Sequence, residues 1–537
     1  MTDTDVLVAG AGPVGLTAAV ELRRRGVDCL IVDRLGERAP YAKAVGVQPR
    51  TLEIWDSIGM AGDALDAATP MRGQLLYVNG EQVAEIVLEL PPEVPFRFVA
   101  LPQYETERLL TEKLERYGTS IERSVELTSF TQDADGVTAQ LTGPDGPRTV
   151  RCDYLIGCDG AHSVVRKGLD LDFGGDAFPE EYMLGDVEVD WSMPPGFGIR
   201  AMHQTDGRTD DLLVCIPLPG HNRYRMSMLV PPDLAGAAPT GGEVAHGLES
   251  GSPPQLRHIQ AVLDRLAPQP TVASRLRWSS VFRISHRIVD RYGRGRAFVA
   301  GDAAHIHPPT GAQGMNTGIQ DAHNLAWKLA LTVQGTAAPG LLDSYDTERR
   351  PIGEEVVGRT VRHAREGIGD PDDPSTLLLR EAQLLVGYPD SPLVGEDTSG
   401  SSWPAGPQPG GRAPDSRGLR RSSVGFPIRL HDLLRSGEHT LLLYADRADQ
   451  VPELVAVAAA AADRVPGRVR SYLVVGPGID DTDRPTVTVH DDAGEFQDAY
   501  AAEGGCGYLI RPDGYVSYRA RSISSSILLP HLGRTFA

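Results

Sequence analysis

Val6-Leu7-Val8-Ala9-Gly10-Ala11-Gly12-Pro13-Val14-Gly15 runs from an apolar strand through a glycine-rich turn into a helix expected from about Val14 to Arg25. A second apolar strand, Cys29 to Val32, follows and ends at Asp33. The glycines stand where a tight turn, close approach to a pyrophosphate and close helix-strand packing each exclude a side chain. The first amides of the helix then face phosphate charge. Asp33, roughly twenty residues on, is placed to accept hydrogen bonds from ribose hydroxyls. A Gly-x-Gly-x-x-Gly turn alone is a weak signal, but strand, helix and acid in this order describe a dinucleotide site. Whether the dinucleotide is a flavin or a nicotinamide stays open on this stretch.

Working outward, a second strand-turn-helix falls at Tyr154 to Arg166 and a third at Ala297 to Leu331. Three pieces so far apart read as parts of one doubly wound sheet, so the segments between them are insertions. Period-two patterns such as Arg223-Tyr224-Arg225-Met226-Ser227-Met228 make the insertions a mostly antiparallel sheet with one covered face. The nucleotide-binding domain is thus expected at 1–73, 99–184 and 284–390, the last with a helical connection, and the inserted domain at 74–98 and 185–283. Pro, Gly and Ser accumulate over 391–418, as in a linker, and an α/β domain is expected over 419–537.

The chain has 537 residues, 41% hydrophobic and 23% charged, and no apolar run approaches the ~20 residues that cross a bilayer. The first strand begins too early to leave room for a secretion signal, which points to a cytoplasmic protein without a membrane partner. A net charge of −20 with dispersed arginines argues against nucleic acid. Arg359, Arg362 and Arg365 fall at helical spacing and read as a solvated face. Five scattered cysteines, with no Cys-x-x-Cys, read as reduced and structural, and no metal site is expected. No Gly-x-Ser-x-Gly elbow, His-Glu-x-x-His helix or Walker loop supports a hydrolase.

Two further motifs are Cys158-Asp159-Gly160-Ala161-His162-Ser163-Val164-Val165-Arg166, and Gly301-Asp302-Ala303-Ala304-His305 continuing through Pro308-Pro309-Thr310-Gly311-Ala312-Gln313-Gly314-Met315-Asn316. With them the chain resembles the group A flavoprotein monooxygenases, the family of para-hydroxybenzoate hydroxylase, and most nearly its aromatic polyketide hydroxylases with a C-terminal thioredoxin-like domain. The resemblance implies an α/β fold: a discontinuous Rossmann-like FAD-binding domain, an inserted mostly antiparallel β-sheet substrate domain and a thioredoxin-like C-terminal domain, here without Cys-x-x-Cys. It implies FAD held non-covalently, NADPH as transient reductant with NADH the alternative, and molecular oxygen as co-substrate. The implied reaction is hydroxylation of a phenolic or polycyclic aromatic through a flavin C4a-hydroperoxide. The protein would be a monomer or homodimer.

Residue by residue, the resemblance implies that Gly10, Gly12, Pro13, Val14, Gly15, Asp33 and Arg34 bind FAD, with Asp159 and Gly160 serving both FAD and NADPH. Asp302, following Gly301, is expected to receive ribityl hydroxyls. Gly311 is implied to bind FAD as well, and Gly314, Met315 and Asn316 open a helix whose amides face charge developing on the flavin. The main chain at Pro309 is implied to border the flavin face where oxygen and substrate meet, so Pro309 and Gly314 are the catalytic positions. Lys43 and Gln48 lie in a segment resembling the one beside the isoalloxazine. Gln103 and Arg108 lie in one resembling a helix start on the ribityl and phosphate groups, although a salt-bridged helix also explains Arg108. Asp33 stands where Glu is usual, Lys43 where Arg is frequent and Gln313 where some members have Lys. His305 and His307 read as packing residues. Phe98, Met202, Tyr224, Met226 and Met228 are expected on the substrate wall, although such a stripe also suits simple core. Baeyer-Villiger oxygenation of a polycyclic ketone, or a flavoprotein that shelters a reactive intermediate, are the alternatives to hydroxylation.

Overall fold

A computed structural model describes residues 3–537 apart from 41, 232–233, 235–252, 309, 367–373, 398–402, 404, 423 and 480–485. The apolar Thr4–Ala9 strand lies at the centre of the first sheet, with Cys29–Asp33 parallel on one side and Gly146–Gly157 parallel on the other. Ala297–Val299 adds parallel to Gly146–Gly157, so residues distant in sequence complete one sheet. Strands buried on both faces read as continuous apolar runs, which is why Val6, Leu7 and Val8 are each fully buried. The first helix spans Pro13–Arg23; its proline has no amide to lose at the opening turn. It packs against a long buried helix, Gly314–Val333.

The second sheet has eight strands and is antiparallel except where Phe197–Thr205 runs parallel to Gly73–Val78. Its centre is the pair of long strands Phe173–Val189 and Ala273–Val289, which begin before and end after the expected 185–283 boundaries. Both are continuous through the boundary because one strand can serve two domains. Arg223–Leu229 pairs with Phe173–Val189, and the helix Leu256–Leu266 packs over one face of the sheet.

The C-terminal sheet runs in the order Gly395–Glu396, Val516–Ala520, Cys506–Ile510, His439–Ala445, Val469–Val475 and Val487–His490. Gly395–Glu396 pairs with Val516–Ala520, while Trp403, Ala413 and Asp415 are buried. The stretch expected as a linker is therefore packed against the domain it was expected to tether. Its Pro and Gly content reflects irregular backbone, and Arg519 satisfies that backbone by donating to the carbonyls of Ala405 and Pro407. All five cysteines are free; burial pushes the thiol of Cys506 up to about 12. No helix among the described residues is long and apolar enough to cross a membrane.

Candidate active site

At the glycine turn, Gly10 has φ +98°, and a Cβ there would stand 2.3 Å from the Cys158 carbonyl oxygen. A Cβ on Gly15 would stand 1.9 Å from the Gly10 oxygen, whereas one on Gly12 would meet nothing within 4 Å. Gly12 thus marks the open side of the turn, and the helix beginning at Pro13 has no side-chain cap. The uncapped amides there favour an anion. Asp33 accepts the Ala11 amide at 2.7 Å and the Leu35 amide at 2.8 Å, which fixes its carboxylate in the cleft with lone pairs to spare. Arg34 lines the same cleft from an exposed position.

Asp159 accepts the Val164 and Val165 amides at 2.7 and 3.2 Å through Oδ2, while its Oδ1 is buried without a hydrogen-bond partner. Burial raises its pKa against the hydrogen bonds from Ser163 and Val165. Gly160 beside it, at φ +77°, also lines the cleft. Glu107 lines the same half as Asp33 and accepts from the Gln103 amide at 2.9 Å, and burial pushes its carboxyl up to about 7 although the Gln103 amide opposes this.

At the other end, the Gly301 amide donates to Asp321 at 3.1 Å. Asp321 also accepts from His305 at 2.7 Å and Arg349 at 2.8 Å, so a buried ionic cluster holds the turn that presents Asp302. Asp302 lines both halves of the cleft and pairs with Lys43 at 3.7 Å. Gly314 and Met315 line it at the start of the Gly314–Val333 helix, which has no side-chain cap. His307 donates from Nδ1 to the Pro308 carbonyl at 2.9 Å, leaving a buried Nε2 without partner. Burial, aided by His305, brings His307 down to about 4, so at neutral pH it presents an acceptor.

Several expected contacts differ. Arg108 is absent from the cleft lining and is bonded within its own helix to Glu105 at 2.8 Å and Glu112 at 2.6 Å, because carboxylates three residues before it and four after it share its face of the helix. Asn316, Gln48 and Gly311 sit just behind the lining. Asn316 Oδ1 accepts the Gln48 amide at 3.0 Å, its Nδ2 donates to the Gly46 carbonyl at 2.9 Å, and Gln48 Nε2 donates to the Gly311 carbonyl at 2.8 Å. They bolt the 43–48 segment to the helix start. Arg359 is buried against Glu381 at 3.4 Å instead of facing solvent. Pro309 lies outside the described residues.

None of the five residues expected on the substrate wall lines the cleft. Tyr224, Met226 and Met228 point to the opposite face, into a core with Ile259, Val262 and Leu263 of the covering helix. Phe98 packs with Leu90, Val94 and Leu384 in a separate cluster, and half-buried Met202 lies on the distant Phe197–Thr205 strand. The reason is parity. On alternating strands the apolar side goes to the helix, and the cleft receives the other side: Leu184, Ile216, Arg225, Trp278, Ser280 and Phe282. The alternating Arg223 and Arg225 were the sequence signal for that face.

The two halves of the cleft, of about 340 and 460 Å³, share Gly12, Lys43, Gln103, Gly160, Trp278 and Asp302 and form one elongated space. It is lined by two uncapped helix starts, at Pro13 and at Gly314, by the carboxylates of Asp33 and Asp302, and by the aromatic rings of Trp278 and Phe282. A group with a central diphosphate, hydroxyls on both sides and a flat ring fits this donor and acceptor set.

Comparisons with known proteins agree. Residues 3–360 match the family described as FAD binding domain, and residues 406–536 the one described as aromatic-ring hydroxylase, C-terminal. The chain is 34% identical to the 12-dehydrotetracycline 5-monooxygenase/anhydrotetracycline 6-monooxygenase of Streptomyces rimosus, covering 96% of this chain and 95% of that protein. It is 31% identical to the pentachlorophenol 4-monooxygenase of Sphingobium chlorophenolicum, covering 96% and 94%. Among solved structures, aklavinone-11 hydroxylase in ternary complex with FAD and aklavinone superposes with a TM-score of 0.77 at 28% identity, covering 99% of each chain.

Proposed function

The chain belongs to the FAD-dependent aromatic-ring monooxygenases, and on that premise we propose that it uses NADPH to hydroxylate a phenolic or polycyclic, polyketide-type aromatic. One observation carries the reading: an apolar wall of Leu184, Ile216, Trp278, Phe282 and Ile284 faces the uncapped start of the Gly314–Val333 helix across a single cleft. FAD, when bound and reduced, supplies the oxygen activation that a closed-shell ring requires.

The chain's own residues bind, orient and exclude. In this reading the Gly12 turn and Asp33 hold the diphosphate and adenosine ribose, and Asp302 with Gln103 holds the hydroxylated linker. The amides of Gly314 and Met315 stabilise negative charge on the ring system without a cationic side chain. His307 accepts a hydrogen bond at Nε2 and supplies no proton at neutral pH. The Asp159-Gly160 turn receives the nicotinamide. The Trp278 and Phe282 wall keeps water from the reacting ring. The C-terminal domain, which we read as thioredoxin-like without dithiol chemistry, supports the cofactor domain.

The test is anaerobic reduction of the FAD enzyme by NADPH or NADH in a stopped-flow instrument, with and without phenols and polycyclic quinones, followed by oxygen. Faster reduction with one ligand class and an NMR-defined hydroxylated product is the expected result. Ligand binding with no product overturns the reading, and a lactone product replaces hydroxylation by ring-oxygen insertion.

A further inference from the structure

Glu381 ends the Pro374–Glu381 helix and sits behind the opening of the Gly314–Val333 helix. Its Oε2 accepts from Gln313 Nε2 at 2.9 Å, and a Cβ on Gly311 would stand 2.5 Å from the same oxygen. Its Oε1 faces the guanidinium of Arg359, buried on the Asp343–Glu366 helix, at 3.4 Å. Gln313 directly precedes the first turn of the Gly314–Val333 helix but does not cap it with its side chain. That side chain is held in one orientation. Gln320 donates to Gln383 at 2.6 Å, Gln383 donates to Gln313 at 2.6 Å, and Gln313 donates to Glu381, so three amides in series all point their donors toward the carboxylate. Burial raises the carboxyl's pKa, and Arg359 and Gln313 oppose it. Glu355, which shares Arg359 at 3.5 Å, and Arg380 are the other charges acting on it.

Neither Glu381 nor Arg359 lines the cleft, yet both flank the turn whose amides do. The amides of a helix start act as a partial positive charge that every nearby anion shares. Reduction of the flavin by a hydride, two electrons with one proton, leaves one negative charge on the ring. A carboxylate at the back of the same turn opposes that charge, and a guanidinium behind the carboxylate favours it. We propose that the Glu381–Arg359 pair sets the flavin's reduction potential from behind the Gly314 turn, Glu381 lowering it and Arg359 raising it, with Gln313 as the positioning residue that holds the carboxylate in place. The proposal rests on the reading in which the Gly314 and Met315 amides face the flavin ring, and adds what governs their hold on its reduced form.

Dithionite titration of the FAD-loaded enzyme against a reference dye at pH 8.5 tests this. Glu381→Gln keeps the shape of the side chain and its acceptor for Gln313. It is expected to shift the balance about tenfold toward reduced flavin, ~30 mV upward for a two-electron couple. Arg359→Met should shift the balance about as far the other way, and Arg359→Lys should stay within about twofold of the wild type. Opposite signs mark an effect of charge, because a loosened turn would move both variants in one direction and release FAD on dilution. A Glu381→Gln enzyme within twofold of the wild type overturns the proposal, as do Glu381→Gln and Arg359→Met shifts of the same sign. If either variant sheds its flavin, Gln313→Lys decides: it sets a cation against the carboxylate and should shift the balance toward reduced flavin, and an unchanged balance overturns the proposal. Turnover is not read. A hydroxylase whose potential ignores Glu381 refutes this proposal alone, and a flavoprotein that shifts as expected but hydroxylates nothing refutes the hydroxylase reading alone.

Discussion

Glu107 shows how one carboxyl couples the cleft to pH. Its folded pKa, pushed by burial to about 7, exceeds the ordinary 4.5. Between those values the unfolded chain has lost the proton that the folded one keeps, so stability falls as pH rises through that window and levels off above it. Glu107→Gln should remove this slope and gain on the order of 1–3 kcal/mol at mildly alkaline pH, measured by denaturant titration. Asp302→Ala should lower FAD affinity by about tenfold, read from flavin fluorescence on dilution; a variant that keeps its full flavin removes Asp302 from the cofactor site. The places of Asp302 and Gly12 on the cleft lining were legible in the sequence because their motifs constrain backbone. Arg108 was not, because a guanidinium in a helix start looks the same whether it faces a phosphate or the glutamates one turn away.

A strand tells its alternation but not its partner. The Arg223–Leu229 strand was correctly read as two-faced, yet which face met the cleft depended on the Leu256–Leu266 helix, distant in sequence, that covers Met226 and Met228. Met226→Ala should therefore cost about 2–5 kcal/mol in chemical denaturation, as a core cavity does, and leave FAD affinity unchanged. A lost ligand affinity without lost stability would return Met226 to the pocket. The Gly314–Val333 helix was the opposite case: its glycine-rich opening announced its start.

Across the whole molecule, the Arg511-Pro512-Asp513 turn joins the Cys506–Ile510 and Val516–Ala520 strands of the C-terminal domain. It reaches into the cofactor domain. Arg511 bonds Glu348 at 2.6 Å, Asp513 accepts from Asn324 at 3.1 Å and Trp327 at 3.2 Å, and Lys328 donates to Glu348 at 2.8 Å. Partner choice across a domain boundary has no local sequence pattern. Arg511→Met should cost about 3–5 kcal/mol and loosen FAD, seen as a lower melting temperature with earlier flavin release. A second tie is Glu53, where burial is outweighed by Arg412 and Arg50, which bring its pKa down to about 2. Its stabilisation is present above about 4.5 and is lost as pH falls toward 2, so acid titration should undock the C-terminal domain, followed by tryptophan emission of Trp403 and Trp327.

The first sheet places Ala297–Val299 beside Gly146–Gly157 and that strand beside Thr4–Ala9. On the ribosome these strands emerge far apart in time. At about 5–20 residues per second, roughly 15 to 60 seconds separate Thr4 from Val299. Through that interval the nascent chain carries an apolar, half-paired edge that only later synthesis can cover. Shortened chains ending before Val299 should stay colourless and aggregate, and translation that stalls inside the inserted sheet should raise the protein's demand for chaperones.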